Sequence, residues 1–102
     1  MKLTVGARLR SQVCSTQVVI VRGGQGEHEL ICGGHPLVPL DAPAFPGLAL
    51  ERRAENGVQL GKRYVNEAGD VEVLVTAAGD GELSVDGAPL RAKQPKSLPS
   101  SD

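Results

Sequence analysis

Aromatic side chains are almost absent from this 102-residue chain: Phe45 and Tyr64 are the only ones, and there is no tryptophan. That scarcity removes the stacking platforms on which recognition of single-stranded nucleic acid depends. It also obliges the core to be built from Val, Leu, Ile and Ala. An excess of charge is missing too: eleven basic against twelve acidic side chains give a formal net charge of -1. Neither a nucleic acid nor an anionic membrane is expected as a partner of such a balanced surface. No apolar run approaches the roughly 20 residues that span a bilayer, and the opening "MKLTVGARLR" holds no apolar stretch long enough for a signal peptide. The expectation is a cytoplasmic protein. Two cysteines, Cys14 and Cys32, are too few for a secreted disulfide framework, and a reducing cytosol keeps them as thiols. Metal binding or plain burial is therefore expected ahead of a stable bridge.

What is abundant is punctuation. Thirteen glycines and seven prolines divide the chain into short runs, most of them rich in β-branched residues. This is the pattern of short strands joined by turns, and it predicts a small all-β, antiparallel domain over residues 1–93. "QVVIVR" (17–22) reads as a strand, "GGQG" as a loop, and "EHELIC" as a returning strand, together a hairpin. In that register Arg22 faces Glu27, Val21 faces His28, Val19 faces Leu30 and Gln17 faces Cys32. Alternation then puts Val19, Val21, Leu30 and Cys32 on the core face, although Val18, Ile20 and Ile31 make the other face partly apolar as well. Four prolines between residues 36 and 46 predict a loop or extended arm, and "LALERRAENG" reads as one short helical turn ending at Gly57. The second half, 58–93, reads as a β-meander: "QLGKRYVN", "VEVLVTA", "ELSV" and "APLRAK", with turns at "EAGD", "AGDG" and Asp86-Gly87. "VDGA" is the strongest turn signal, since a type I′ hairpin needs positive φ at both central residues. "QPKSLPSSD" (94–102) reads as an extended or disordered tail, or more sharply as a docking peptide.

The chemistry concentrates in "ICGGHP". Continued outward, the hairpin register sets Cys14 opposite His35 and brings the two cysteines toward each other. Strict alternation leaves their sulfurs on opposite faces, so convergence requires the chain to leave the ladder at Ser15-Thr16 or Gly33-Gly34. The glycine pair also lets the backbone fold around a sulfur and aim amide hydrogens at it. A buried thiolate needs compensating charge, which a divalent metal supplies.

The segment "RLRSQVCSTQVVIVRGGQGEHELICGGHPL", about residues 8–38, resembles the desulforedoxin-like domain, the small rubredoxin-related iron module. That family has a Cys-x-x-Cys turn, an apolar strand, a glycine-rich loop, a second strand, and adjacent cysteines followed by Gly. Cys14 matches the first ligand, but Gln17 occupies the second position; Cys32 matches the third, but Gly33 occupies the fourth. The resemblance implies a small β module, often dimeric, with two surviving ligand positions for Zn or Fe. His35, or less readily His28, completes a mixed site, or two chains each supply Cys14 and Cys32. Otherwise no metal is held and the cysteines are small buried side chains, with a transient disulfide as a minor branch.

Elsewhere the residues give no reaction. "GGQGEHELICGG" lacks phosphate-loop spacing, and Ser11, Ser15 and Thr16 have no paired histidine and acid. Asp70, Glu72, Asp80, Glu82 and Asp86 read as solvated loop tips, and "LERRAEN" as a solvated face. No enzyme is expected. The leading expectation is a metal-binding accessory or electron-transfer protein with Cys14, Cys32 and His35 as ligands and Gly33 and Gly34 shaping the turn. The alternative is a metal-free, homo-oligomeric interaction module or an accessory subunit of an enzyme, and a thiol-redox protein is a third.

Overall fold

The computed structural model describes residues 2–93; the tail expected over 94–102 lies outside them. The described residues form twelve strands: β1 (Arg8–Arg10), β2 (Gln17–Gly23), β3 (Leu30–Cys32), β4 (His35–Pro36), β5 (Val38–Pro39), β6 (Arg53–Val58), β7 (Arg63–Val65), β8 (Val71–Ala77), β9 (Gly79–Gly81), β10 (Leu83–Val85), β11 (Ala88–Pro89) and β12 (Arg91–Ala92). Every pairing is antiparallel. No helix occurs among the described residues, and so none long and apolar enough to cross a membrane. The small all-β domain read from the sequence is what forms.

Six strands make the first sheet in the order β12-β7-β8-β2-β1-β5, four make the second in the order β11-β10-β3-β4, and β6 pairs with β9. The two larger sheets share chain at both ends. Only Leu37 separates β4 from β5, and only Leu90 separates β11 from β12. Each of these short segments belongs half to one sheet and half to the other, turning a corner at a buried leucine. Corners of this kind let two sheets close over one core. That core holds Val18 and Ile20 of β2, Val71, Val73 and Val75 of β8, Leu30 and Cys32 of β3, and Leu83 and Val85 of β10. Burying each such aliphatic side chain contributes about 1.5–3 kcal/mol before the entropy of ordering it is subtracted.

Several sequence expectations are corrected. The hairpin of "QVVIVR" against "EHELIC" does not form: β2 lies between β8 and β1, while β3 lies between β10 and β4. Seven-residue β8 offers β2 a longer apolar partner than three-residue β3, and the chain after β2 is met instead by an isolated bridge from Lys2 to Glu27. The inward residues of β2 are consequently Val18 and Ile20, with Val19 and Val21 half-buried on the other face. "RRAENGV" forms strand β6 and "GDG" forms its partner β9, where a helical turn and a loop were expected. One isolated helical turn gains little by itself, whereas an edge strand completes backbone hydrogen bonds. Glu72, read as a loop tip, lies inside β8 and is 1% exposed. Its Oε2 accepts from Arg63 Nη1 at 3.4 Å and its Oε1 from Lys93 Nζ at 3.2 Å.

The turn at "VDGA" forms as read, with φ of 51° at Asp86 and 86° at Gly87 between paired Val85 and Ala88. Asp86 also ties this turn to the start of β3. One carboxylate oxygen accepts the Glu29 amide at 2.8 Å, and the other meets His28 Nδ1 at 2.7 Å. The hydrogen bond to Asp86 raises the pKa of His28 above 6.5, and the bonds from Glu29 and His28 lower that of Asp86 below 3.8. A raised histidine contributes stability in full below 6.5 and loses it as pH climbs through the folded value. A depressed carboxylate contributes above 3.8 and loses it as pH falls through the folded value. The pair therefore adds stability between about pH 4 and 6.5. Urea denaturation across pH is expected to show this bulge in the parent and a flatter curve in Asp86→Asn.

Candidate functional site

Cys14 sits in the loop from β1 to β2, which is closed by its own polar groups. The Ser11 amide donates to the Thr16 carbonyl at 2.9 Å, and Ser11 Oγ accepts the amides of Val13 and Cys14, both at 3.1 Å. Short hydroxyl side chains favour such local bonds. Ser11 and Thr16 are buried by them, 1% and 0% exposed. Cys32 ends β3 and is 0% exposed, paired with Leu83 on one side and His35 on the other. Between Cys32 and His35 the chain reverses in two residues, Gly33 (φ 68°) and Gly34 (φ 93°), a turn that needs positive φ at both positions.

The two sulfurs stand 3.8 Å apart, Cys14 half-buried and Cys32 enclosed. Strand β9 lies directly over them. A Cβ at Gly81 would be 2.8 Å from the Cys32 sulfur, and one at Gly79 would be 3.0 Å from the Cys14 sulfur and collide with Thr16. Alternate glycines in a strand mark a close backbone approach, and here the approach is to a thiol pair.

Their environments differ. Burial alone would push the Cys14 thiol up, but hydrogen bonds from the Ser11 and Thr16 hydroxyls and from the Thr16 and Gly81 backbone amides outweigh it and bring its pKa to about 7. In the neutral form its S–H donates to Thr16 Oγ1 at 3.2 Å; as a thiolate it accepts from the same hydroxyl. Cys32 is pushed up to about 12, first by burial and then by the neighbouring charge of Cys14. One sulfur is thus an anion for much of the time near neutrality, and the other is held as a thiol.

Of the sequence-derived site, Cys14 and Cys32 come together and His35 does not join them. His35 Nε2 faces the Ala49 carbonyl at 3.0 Å and Glu51 Oε2 at 2.9 Å. His28 lies at the far end of β3, engaged with Asp86. Among the described residues no group of three or more His, Cys, Asp or Glu side chains is placed to hold a metal ion. The donor set among the described residues thus stops at two sulfurs, short of the four thiolates of a rubredoxin-type centre. From the sequence, Ser11 and Thr16 were set aside as hydroxyls without a paired base, and Gly79 and Gly81 were taken as part of a turn. The available signals were hydroxyls flanking the cysteine in "SQVCST" and glycines two apart in "GDG".

No protein-family model, curated protein or solved structure matches the chain. The site's chemistry stands on its geometry. Alkylation followed by mass spectrometry is expected to label Cys14 with a rate midpoint near pH 7 and to leave Cys32 untouched until the chain unfolds. Thr16→Val, which removes one hydroxyl from the thiolate, shifts that midpoint upward.

Proposed function

We propose that the chain is a small redox-responsive accessory module whose working group is the Cys14–Cys32 dithiol, cycling between two thiols and one intramolecular disulfide. The observation that carries this reading is the 3.8 Å separation of two sulfurs held by different sheets under a glycine strand. Bonding distance for a disulfide is about 2.0 Å, so oxidation draws the β1–β2 loop and the end of β3 together. In the cytoplasmic setting that accompanies this proposal, the resting state is the dithiol.

The steps follow from the asymmetry of the pair. The Cys14 thiolate attacks one sulfur of a small disulfide RSSR; that S–S bond breaks, and RS⁻ leaves and takes up a proton. Cys32 then gives up its proton and attacks the Cys14 sulfur, displacing the second RS⁻, which takes that proton. The balance is one RSSR reduced to two RSH and two protein thiols oxidised to one disulfide. Cys14 is suited to the first attack by its exposure and its thiolate fraction, and Cys32 to the second by lying beside it and out of reach of the oxidant. Closing a loop of this length constrains the unfolded chain by about 3 kcal/mol, less whatever strain the closure introduces.

A second reading rests on the same distance. Two thiolates on one tetrahedral zinc, each about 2.3 Å from the ion, are themselves about 3.8 Å apart. Cys14 and Cys32 then form one edge of a Zn or Fe site, and a second copy of the chain supplies the other two ligands, consistent with the homodimer expected from the sequence.

Excess oxidised glutathione separates the readings. The dithiol reading expects a monomer that loses two hydrogens in mass, no longer reacts with thiol reagents and melts at a higher temperature. In Cys32→Ser the reaction stops at a glutathione adduct on Cys14. Protein that contains one Zn or Fe per two chains and resists this oxidation until chelated supports the metal reading. Metal-free protein whose thiols survive the oxidant, or cross-link only between chains, refutes the first proposal.

A further inference from the structure

The outer face of the first sheet carries a row of four directly opposed residues on four strands. Arg8 of β1 faces Val19 of β2, Val19 faces Leu74 of β8, and Leu74 faces Arg63 of β7. Because Val18, Ile20, Val73 and Val75 turn inward, Val19 and Leu74 point out of the sheet, half-buried, with an arginine on each side. A groove of about 400 Å³ lies over one half of this row, lined by Arg8, Gln17, Val19, Leu40, Leu74 and Thr76. That volume falls within the range of small-ligand sites, about 300–1,000 Å³.

The two arginines are not equivalent. Arg63 shares the Glu72 carboxylate with Lys93. Arg8 has no ion pair or side-chain hydrogen bond among the described residues. Asp41, the carboxylate nearest to the groove along the chain, follows Leu40 and forms no ion pair with Arg8 either. Leu40 itself is 39% exposed, and its amide donates to the Arg8 carbonyl at 3.2 Å, which fixes an aliphatic side chain at the rim beside the guanidinium. One uncompensated guanidinium calls for one anionic group, which it can grip through two donors. A floor of Val19 and Leu74 under Leu40 calls for an aliphatic body, since no aromatic ring lines the groove to stack against a base or an indole.

We infer that this groove binds a small organic anion with a short aliphatic body, its carboxylate on Arg8 and its chain over Val19, Leu74 and Leu40. Gln17 and Thr76 supply hydrogen bonds at the rim. The site lies on the outer face of the sheet and uses none of the residues around the thiol pair, so it stands or falls independently of that chemistry.

Hexanoate titrated into the ¹⁵N-labelled full chain is the test, with acetate and hexan-1-ol as probes that each lack one half of the ligand. The expected result is saturable shifts confined to the six groove residues and their neighbours, with both control probes at least tenfold weaker. Arg8→Gln is expected to weaken hexanoate about tenfold while leaving the rest of the spectrum in place, and Arg8→Lys to recover part of the loss. Leu40→Ser, at an exposed loop position, weakens hexanoate without affecting acetate. Equal binding of hexan-1-ol, unchanged affinity in Arg8→Gln, or shifts that scatter without saturating would overturn the inference.

Discussion

Everything else in the molecule depends on the pairing of β2 with β8. These are the two seven-residue strands, drawn from opposite halves of the chain, and their inward valines and isoleucine form the centre of the core. The register also fixes what happens beyond the strand ends. Pairing Gln17 with Ala77 places Thr16 against Gly79, two residues further on. That single junction lays β9 over the β1–β2 loop, and the run from β9 into β10 then sets Leu83 beside Cys32. The thiol pair is therefore a product of the central sheet register more than of the sequence around either cysteine. A shift of one residue in that ladder would also turn Val18 and Ile20 outward.

Charge placement follows the same economy. The carboxylate of Glu72 is buried, and two cations reach it from more exposed positions on β7 and just beyond β12. A buried carboxylate without partners is costly, so these cations hold the last strand segment against the sheet as they satisfy the charge. The His28–Asp86 pair does a similar service for the second sheet, joining the type I′ turn to the start of β3. Neither pair approaches the sulfurs, whose polar neighbours are hydroxyls and backbone amides. Thiolate stabilisation at Cys14 comes from dipoles alone.

Local signals in the sequence were legible and partner choice was not. β-Branched runs mark β2 and β8, and Asp86-Gly87 marks its turn because few residues tolerate positive φ. The all-β class follows from these short runs. "QVVIVR", however, is apolar on both faces, so alternation alone does not say which side turns inward, and a glycine-rich loop suggests a local hairpin whether or not a better strand waits fifty residues on. The convergence of Cys14 and Cys32 was anticipated, though through a hairpin that does not exist. They meet because separate sheets bring them to one place. His35 follows the glycine turn as a ligand would, yet Glu51 and Ala49, contributed by the chain beyond the proline-rich arm, occupy its ring nitrogen. Glu72 reads as polar and near a turn, and only the arrival of Arg63 and Lys93 makes its burial tolerable.

The strand that covers the sulfurs comes late in the chain. Cys14 and Cys32 leave the ribosome well before Gly79 and Gly81, and until those glycines arrive nothing of β9 shields either thiol. During that interval the two cysteines belong to an open segment, reactive alike toward oxidants and toward each other. Protection of Cys32 is thus conferred by completion of the domain, and the age of a molecule, nascent or finished, decides whether one thiol or two meet the cell.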